Sequence, residues 1–256
     1  MHRLYIPPAE CQGDVVCLSE RESHHAVDVL RVRAGERVTV LDGAGHELVC
    51  ELVEPSRRGA LLRVIERRVP ATLSAHITLL QAVPKAKAMD TIIQKATELG
   101  ARRIVPLLTG HCTVQLDAED AVDKQAKWQQ TAIEAMKQCG APWLPVVERP
   151  LGLKEFLADG GRFDLSLVGS LQPGSRHPRA WFEEFTRMSG KLPATVSVWV
   201  GPEGDFSREE IAAIEDAGAQ PVTLGPLVLR SETAAIYLLS VVSYELQAGQ
   251  GTGAGG

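Results

Sequence analysis

The residues of this 256-residue chain best suited to chemistry lie in two short segments towards its C-terminal end. They are Gly201-Pro202-Glu203-Gly204 and Leu229-Arg230-Ser231-Glu232-Thr233. Glycine lets a backbone approach a ligand closely and take positive φ. Proline stiffens such a turn, and Glu203 adds an acceptor beside it. Arg230 stands where a helix is expected to begin. That end of a helix already carries partial positive charge, so a guanidinium there points to an anion or a substrate. The plainer alternative is an ion pair with Glu232 or Glu203. Glu232 either serves that site or is an ordinary acidic residue in a first helical turn. Glu203 is either a ligand acceptor or a loop-stabilising group. Ser231 and Thr233 are as readily helix caps as ligand contacts.

The flanking pattern says what must hold these segments. Residues 196–200 and 222–224 are apolar runs of strand length, each cut off by Gly-Pro. Between them lies a helix with clear end signals. Ser207 and Glu210 have capping-box spacing, Phe206 and Ile211 have the spacing of a hydrophobic staple, and Gly218 sits where a left-handed C-cap belongs. Both loops therefore leave the C-terminal ends of strands, where open parallel sheets bind ligands. Upstream, strands are expected at 77–83, 104–108 and 164–168, and helices at 89–99, 121–138 and 179–188. A last helix is expected at 232–246, with Ala235, Ile236, Leu239, Val242 and Leu246 at helical spacing. That stripe fits packing on the sheet, a subunit interface, or both. Alternation of this kind predicts an α/β domain with a mostly parallel sheet covered on both faces. A nucleotide-dependent oxidoreductase ranks last, because no Gly-x-Gly-x-x-Gly turn follows a first strand; no phosphate-cradling Gly-Lys-Ser/Thr loop is present either.

Residues 1–70 read differently. A capping-box pair, Ser19 and Glu22, precedes a short helix expected at 24–30, and strand-like runs follow at 37–41, 47–53 and 60–64. Short strands at regular spacing predict a small barrel. Its many arginines are nearly balanced by acids, which by itself describes a mixed-charge solvated surface. His24 and His25 are adjacent, but no third ligand stands near them, so no metal site is expected.

The apolar content of 45% and formal charge of −5 describe a globular chain, with no global excess of positive charge for sequence-blind nucleic-acid binding. The five cysteines are scattered, without metal-site or redox spacing, which predicts reduced thiols and a cytoplasmic protein. No apolar run approaches membrane-spanning length. Residues 249–256 read as a flexible tail.

GPEGDFSREEI followed by LGPLVLRSETAAI resembles the cofactor-binding C-terminus of the SPOUT methyltransferases. The resemblance extends over nearly the whole chain. His25-Ala26-Val27-Asp28-Val29-Leu30-Arg31 is similar to the family's His-x-x-x-Val-Leu-Arg. Lys87-Ala88-Met89-Asp90 and Ile93-Gln94-Lys95-Ala96-Thr97-Glu98-Leu99-Gly100 are close to its central pattern. Within the family, the likeness is to the members that methylate N3 of a uridine in 16S ribosomal RNA of the small subunit. It implies a PUA-like RNA-binding barrel at 1–70 and a SPOUT domain at 73–248 whose C-terminal segment is threaded into a deep trefoil knot. It also implies a homodimer, S-adenosyl-L-methionine as cofactor, and small-subunit ribosomal RNA or the assembled subunit as partner. Cofactor contacts are expected from Val168, Gly169, Val200, Gly201, Pro202, Glu203, Gly204, Leu224, Gly225, Leu227, Leu229 and Thr233. Arg230 and Glu232 are the expected catalytic pair, and His25, Arg31, Arg33, Lys85 and Lys87 the expected RNA contacts. Lys85 and Lys87 read equally well as a solvated turn.

Four departures stand out. Asp205, Leu227, Ala141 and His111 occupy positions where the family pattern has Gly, Arg, Arg and Arg. Asp205, Leu227 and Ala141 motivate an alternative function, an RNA-binding protein of the same fold with reduced or lost catalysis.

Overall fold

The computed structural model describes residues 1–71, 75–85, 88–112, 116–159, 161–172 and 174–248, with the backbone alone at residue 118. The expected tail at 249–256 lies outside them. The chain forms two compact units, Met1–Thr72 with Ala132–Leu144, and Leu73–Thr131 with Pro145–Gly256.

The first unit is built on a five-stranded sheet. Its strands are β1 (Arg3–Tyr5), β2 (Val15–Cys17), β3 (Arg37–Leu41), β4 (Glu47–Glu54) and β5 (Leu61–Arg68), in the order β1-β3-β4-β5-β2. β1 runs parallel to β3, and the other neighbours are antiparallel. The pleat sends alternate side chains to one face. Val38 pairs with Cys50, Val40 with Leu48, and Val16 with Leu62, and all six are buried in one core. Burial pushes the Cys11 thiol up to about 11 and Cys50 to about 12, which suits inert structural thiols.

The first helix differs from expectation. It is α1 (Glu20–His24), and it continues as a π-helical turn over His25–Val29. Ser19 caps it, its Oγ accepting from Glu22 N at 3.3 Å. The reciprocal half of the capping box does not form, because the Glu22 carboxylate is used elsewhere. Oε2 accepts from Tyr5 N at 3.0 Å, and Oε1 accepts from Lys137 Nζ at 2.7 Å. Both side chains of that ion pair are about 95% buried, with exposures of 5% and 6%.

The second unit carries seven strands, all parallel: β6 (His76–Ala82), β7 (Ala101–Leu108), β8 (Val146–Val147), β9 (Leu151–Gly152), β10 (Leu165–Gly169), β11 (Thr195–Val200) and β12 (Gln220–Val222). Their order is β12-β10-β11-β6-β7-β8, with β9 also on β7. The helices are α2 (Ala88–Glu98), α3 (Ala118–Cys139, of which the part from Ala132 on belongs to the first unit), α4 (Leu153–Ala158), α5 (Pro178–Ser189), α6 (Arg208–Asp216) and α7 (Ser231–Ala248). Both faces of the sheet are apolar over much of its width, as parallel sheets require. Leu167, Val198, Leu79 and Ile104 form one cross-strand row, and Val168, Trp199, Leu80 and Val105 the next, on the opposite face. α4 and α6 cover the second row through Phe156, Phe206 and Ile214. α7 packs on β11 beside α2 and α5.

α6 follows its end signals closely. Ser207 Oγ accepts from Glu210 N, and Glu210 Oε2 accepts from Ser207 N at 2.8 Å. Phe206 and Ile211 share one apolar cluster, and Gly218 takes φ +96°. β12 falls two residues earlier than expected, ending at Val222. It is an edge strand, so Pro221 can sit in it without costing a ladder hydrogen bond. Thr223 N has already left the sheet to donate to Arg176 O at 3.0 Å. Of the readings open for the α7 stripe, packing on the sheet is the one the burial supports. Ala235, Leu239, Val242 and Leu246 are buried inside the unit, and the large side chains left exposed on that helix are Tyr237 and Tyr244.

The buried pair in the first unit gives a stability prediction. Lys137→Met leaves Glu22 charged and unpaired, and should destabilise by about 3–5 kcal/mol in urea unfolding. Arg21→Met, at the exposed Arg21–Glu134 pair, should cost less than about 1 kcal/mol. Equal losses would contradict this reading of the Glu22 environment.

Candidate active site

Three neighbouring strands end together at one edge of the second unit. β10 lies between β12 and β11, so the segments that follow Gly169, Val200 and Val222 leave the sheet side by side. They enclose a narrow, mainly apolar cleft. Of the twelve residues expected to meet a cofactor, nine line it: Gly169, Val200, Gly201, Pro202, Glu203, Leu224, Gly225, Leu227 and Leu229. The other three do not. Val168 is turned into the core, Gly204 backs onto His111, and Thr233 is exposed on the first turn of α7. The cleft also takes in Ser231, which sequence reasoning left open between cap and ligand contact, and Ser170, Leu171, Asp205, Val228 and Ala234, which it did not name as cofactor contacts.

Ser231 is the most consequential of these. Its Oγ donates to Gly201 O at 2.7 Å and accepts from Gln81 Nε2 at 2.9 Å. Gln81 is fully buried at the end of β6 and donates also to Ala82 O. The start of α7, the loop after β11 and the end of β6 are therefore tied at one point. A serine at a helix start reads as a cap, and nothing in the local sequence marks its long-range partners.

The loop after β11 is a tight turn, with Asp205 N donating to Pro202 O at 2.9 Å. Asp205 takes φ +60°, the left-handed region that favours glycine. Aspartate tolerates it better than most residues by bonding locally, and here Oδ1 accepts from Phe206 N at 2.8 Å. His111 Nδ1 lies 2.8 Å from Asp205 O and must be the donor there. Asp205 thus meets, through a local bond, a backbone demand that glycine would meet without one. Gly201 faces this turn so closely that a Cβ on it would stand 2.9 Å from Asp205 Oδ1.

The charged residues are arranged as follows. Glu203 Oε1 accepts from Lys85 N at 2.9 Å, which stabilises the loop. Neither Glu203 nor Glu232 pairs with Arg230, so the ion-pair alternative is not what this chain adopts. Arg230 is exposed, and its guanidinium makes no hydrogen bond or ion pair among the described residues. Its carbonyl accepts from Ala234 N, which opens α7. Its chain neighbours Leu229 and Ser231 both line the cleft, while Arg230 itself is not a lining residue. Glu232 is half-buried on the first turn. Lys85 is exposed, and Lys87 lies outside the described residues. In the first unit, His25 begins the π-helical turn, Arg31 takes φ +57°, and Arg31 and Arg33 are exposed. Their guanidinium groups have no partner among the described residues. His24 faces Asp28 at 3.6 Å, and no cluster of three metal-ligating side chains occurs among the described residues.

Comparison with known proteins agrees with this geometry. A family model described as RNA methyltransferase domain matches residues 71–243, and one described as RNA methyltransferase PUA domain matches 18–65. The fold and the cleft therefore define the chain as an RNA methyltransferase with a PUA domain. The ribosomal RNA small subunit methyltransferase E of Aquifex aeolicus is 30% identical, over 94% of this chain and 99% of its own. A putative methyltransferase from Legionella pneumophila, solved with bound cofactor SAM, is 32% identical with a TM-score of 0.83, covering 96% of each chain. A ribosomal RNA small subunit methyltransferase E from Neisseria gonorrhoeae, bound to S-adenosyl methionine, is 28% identical with a TM-score of 0.82, covering 95% of this chain and 97% of that one. The chain belongs to the ribosomal RNA small subunit methyltransferase E family.

The strained turn is testable by stability alone. Asp205→Gly relieves a left-handed residue and loses one local hydrogen bond, so stability should change by less than about 0.5 kcal/mol. Asp205→Val should cost about 1–2 kcal/mol in thermal unfolding, because a β-branched residue is poorly tolerated there. If valine is harmless, the positive φ is not a constraint.

Proposed function

We propose that the chain transfers the methyl group of S-adenosyl-L-methionine to N3 of a uridine in 16S ribosomal RNA, acting as a homodimer in the cytoplasm. The observation that carries the reading is the cleft at the ends of β10, β11 and β12, with Arg230, unpaired among the described residues, in the chain between two residues that line it. The cleft suits the cofactor. Leu224, Leu227 and Leu229 offer apolar cover for a flat base, and the strand-end backbone offers donors and acceptors to its edge. At Gly225, with φ +106°, no protein atom lies within 4 Å of where a Cβ would stand, so a ligand can approach the backbone. The homodimer is supported by apolar exposure beside the cleft, 72% at Leu227 and 79% at Val228.

Bound S-adenosyl-L-methionine supplies a methyl group already activated by its sulfonium. What the chain must supply is position and charge. Uridine N3 carries a proton and must be presented unpaired. Arg230 stabilises the negative charge that develops as that proton leaves. Leu224, Leu227 and Leu229 would hold the cofactor, whose sulfonium would supply the methyl group that N3 accepts. Glu232, on the first turn of α7, orients Arg230 or accepts the proton. Holding the two reactants in line contributes several kcal/mol of barrier lowering on general grounds. Ser231, through Gly201, holds the loop that shapes the cleft. His25, Arg31 and Arg33 in the PUA domain, with Lys85 and Lys87, meet RNA phosphates. The knot belongs to the same reading, with residues 225–230 threaded past the turns after β10 and β11.

Replacing Arg230 by Ala should lower kcat by roughly 100- to 1000-fold, the loss of one electrostatic stabiliser, and change cofactor affinity less than about threefold. Parallel losses in both would mean that Arg230 binds the cofactor instead. Mass spectrometry of ribosomal RNA from cells lacking the gene should show 3-methyluridine absent at one position. Unchanged 3-methyluridine would remove the assignment of the acceptor atom.

A further inference from the structure

The N-terminal end of the same sheet holds a second cleft, of about 420 Å³, that the methyl-transfer reading does not use. A sheet face that is otherwise apolar changes character there. Ser166, Ser197, Thr78 and Arg103 are cross-strand neighbours on β10, β11, β6 and β7, and so form one polar row. It lies on the face of Trp199, whose Nε1 donates to Ser166 Oγ at 2.9 Å. Ser197 and Ser166 bond each other at 2.6 Å. Thr78 is different. It is 6% exposed and lines the cleft, yet its hydroxyl has no partner among the described residues. The hydroxyl is open to the cleft rather than sealed in the core, so a ligand or an ordered water can reach it.

Cations line the same cleft. Consecutive residues of a regular strand point to opposite faces. Arg102 and Arg103 nevertheless both line the cleft, because the β6–β7 register slips beside Thr78. A bulge re-aims a side chain in this way, and bulges gather next to functional sites. Arg103 is fixed by Glu148 and lies 5.6 Å over the Phe156 ring. Burial lowers the pKa of Arg102. Arg162 and His76 complete the rim, and neither side chain has a partner among the described residues. Two acids are near. Glu148 is taken by Arg103, and the Asp164 carboxylate accepts from Ala194 N and Thr195 N.

We propose that this cleft is a binding site for a phosphate group, held by the Thr78 hydroxyl and the guanidiniums of Arg102 and Arg162. It is independent of the methyl-transfer cleft, which lies at the opposite ends of the strands. The phosphate is either one of the RNA backbone or a free phosphoryl group. The test uses the full chain, titrated with inorganic phosphate at fixed ionic strength and followed by amide chemical shifts. The resonances of Thr78, Arg103 and Arg162 should shift saturably, and Thr78→Val and Arg162→Ala should each weaken the response about tenfold, as loss of a charge-assisted contact does. S-adenosylmethionine affinity should be unchanged in both variants. Binding of 16S ribosomal RNA then separates the sources. If Arg162→Ala weakens it and lowers the salt slope by about 1, the phosphate is the RNA's. If RNA binding is unchanged, the site takes a free phosphoryl group. Resonances that stay still, or that move equally in both variants and the parent chain, overturn the proposal. Either result leaves the methyl-transfer assignment standing.

Discussion

The site depends on one hydroxyl. Ser231 Oγ gives its hydrogen to Gly201 O and takes one from Gln81 Nε2, so three segments remote in sequence meet within hydrogen-bond distance. Without that junction, the loops after β11 and β12 would be two independent turns with only apolar contact between them. Gln81 Oε1 is buried with no partner among the described residues. An unpaired buried acceptor costs about 1–3 kcal/mol. The chain therefore tolerates a local penalty where the start of α7 is locked to the sheet, and strain of that kind gathers where geometry matters.

Around the junction, the parallel order β12-β10-β11 does the remaining work. It brings three strand ends to one edge and leaves no large side chain from Gly169, Gly201 or Gly225 to fill the space between them. Asp205 then closes the turn against Gly201 at the cost of a left-handed residue, and Glu203 is spent on Lys85 N. Each acid near the cleft thus has a structural task or stands apart from Arg230. Arg230, in the chain between two lining residues of an apolar cleft, is therefore left without an acid partner among the described residues.

Much of this was legible in the sequence where local physics decides. The helix between the two Gly-Pro turns carries its cap, its staple and its terminal glycine in the sequence, and α6 forms with all three. The alternation of strand and helix predicted a parallel sheet, and the sheet is parallel throughout. Legibility fails where a residue serves a distant partner. Glu22 looks like half of a capping box, but its carboxylate goes to Tyr5 and Lys137. The apolar stripe of α7 says that something covers it, and periodicity cannot say whether that is the sheet or a second subunit. β1 and β2, three residues each, are too short to show a period at all. The bulge that aims Arg102 and Arg103 together depends on register, which no local pattern displays.

The central claim is that the turns after β11 and β12 close on one cofactor. Amide hydrogen exchange of the full chain, with and without S-adenosylmethionine, tests it most directly. Slowed exchange should appear together in residues 201–205 and 224–231, because one ligand bridges both segments. Protection in only one segment, or in neither while the cofactor is bound elsewhere, would contradict the account.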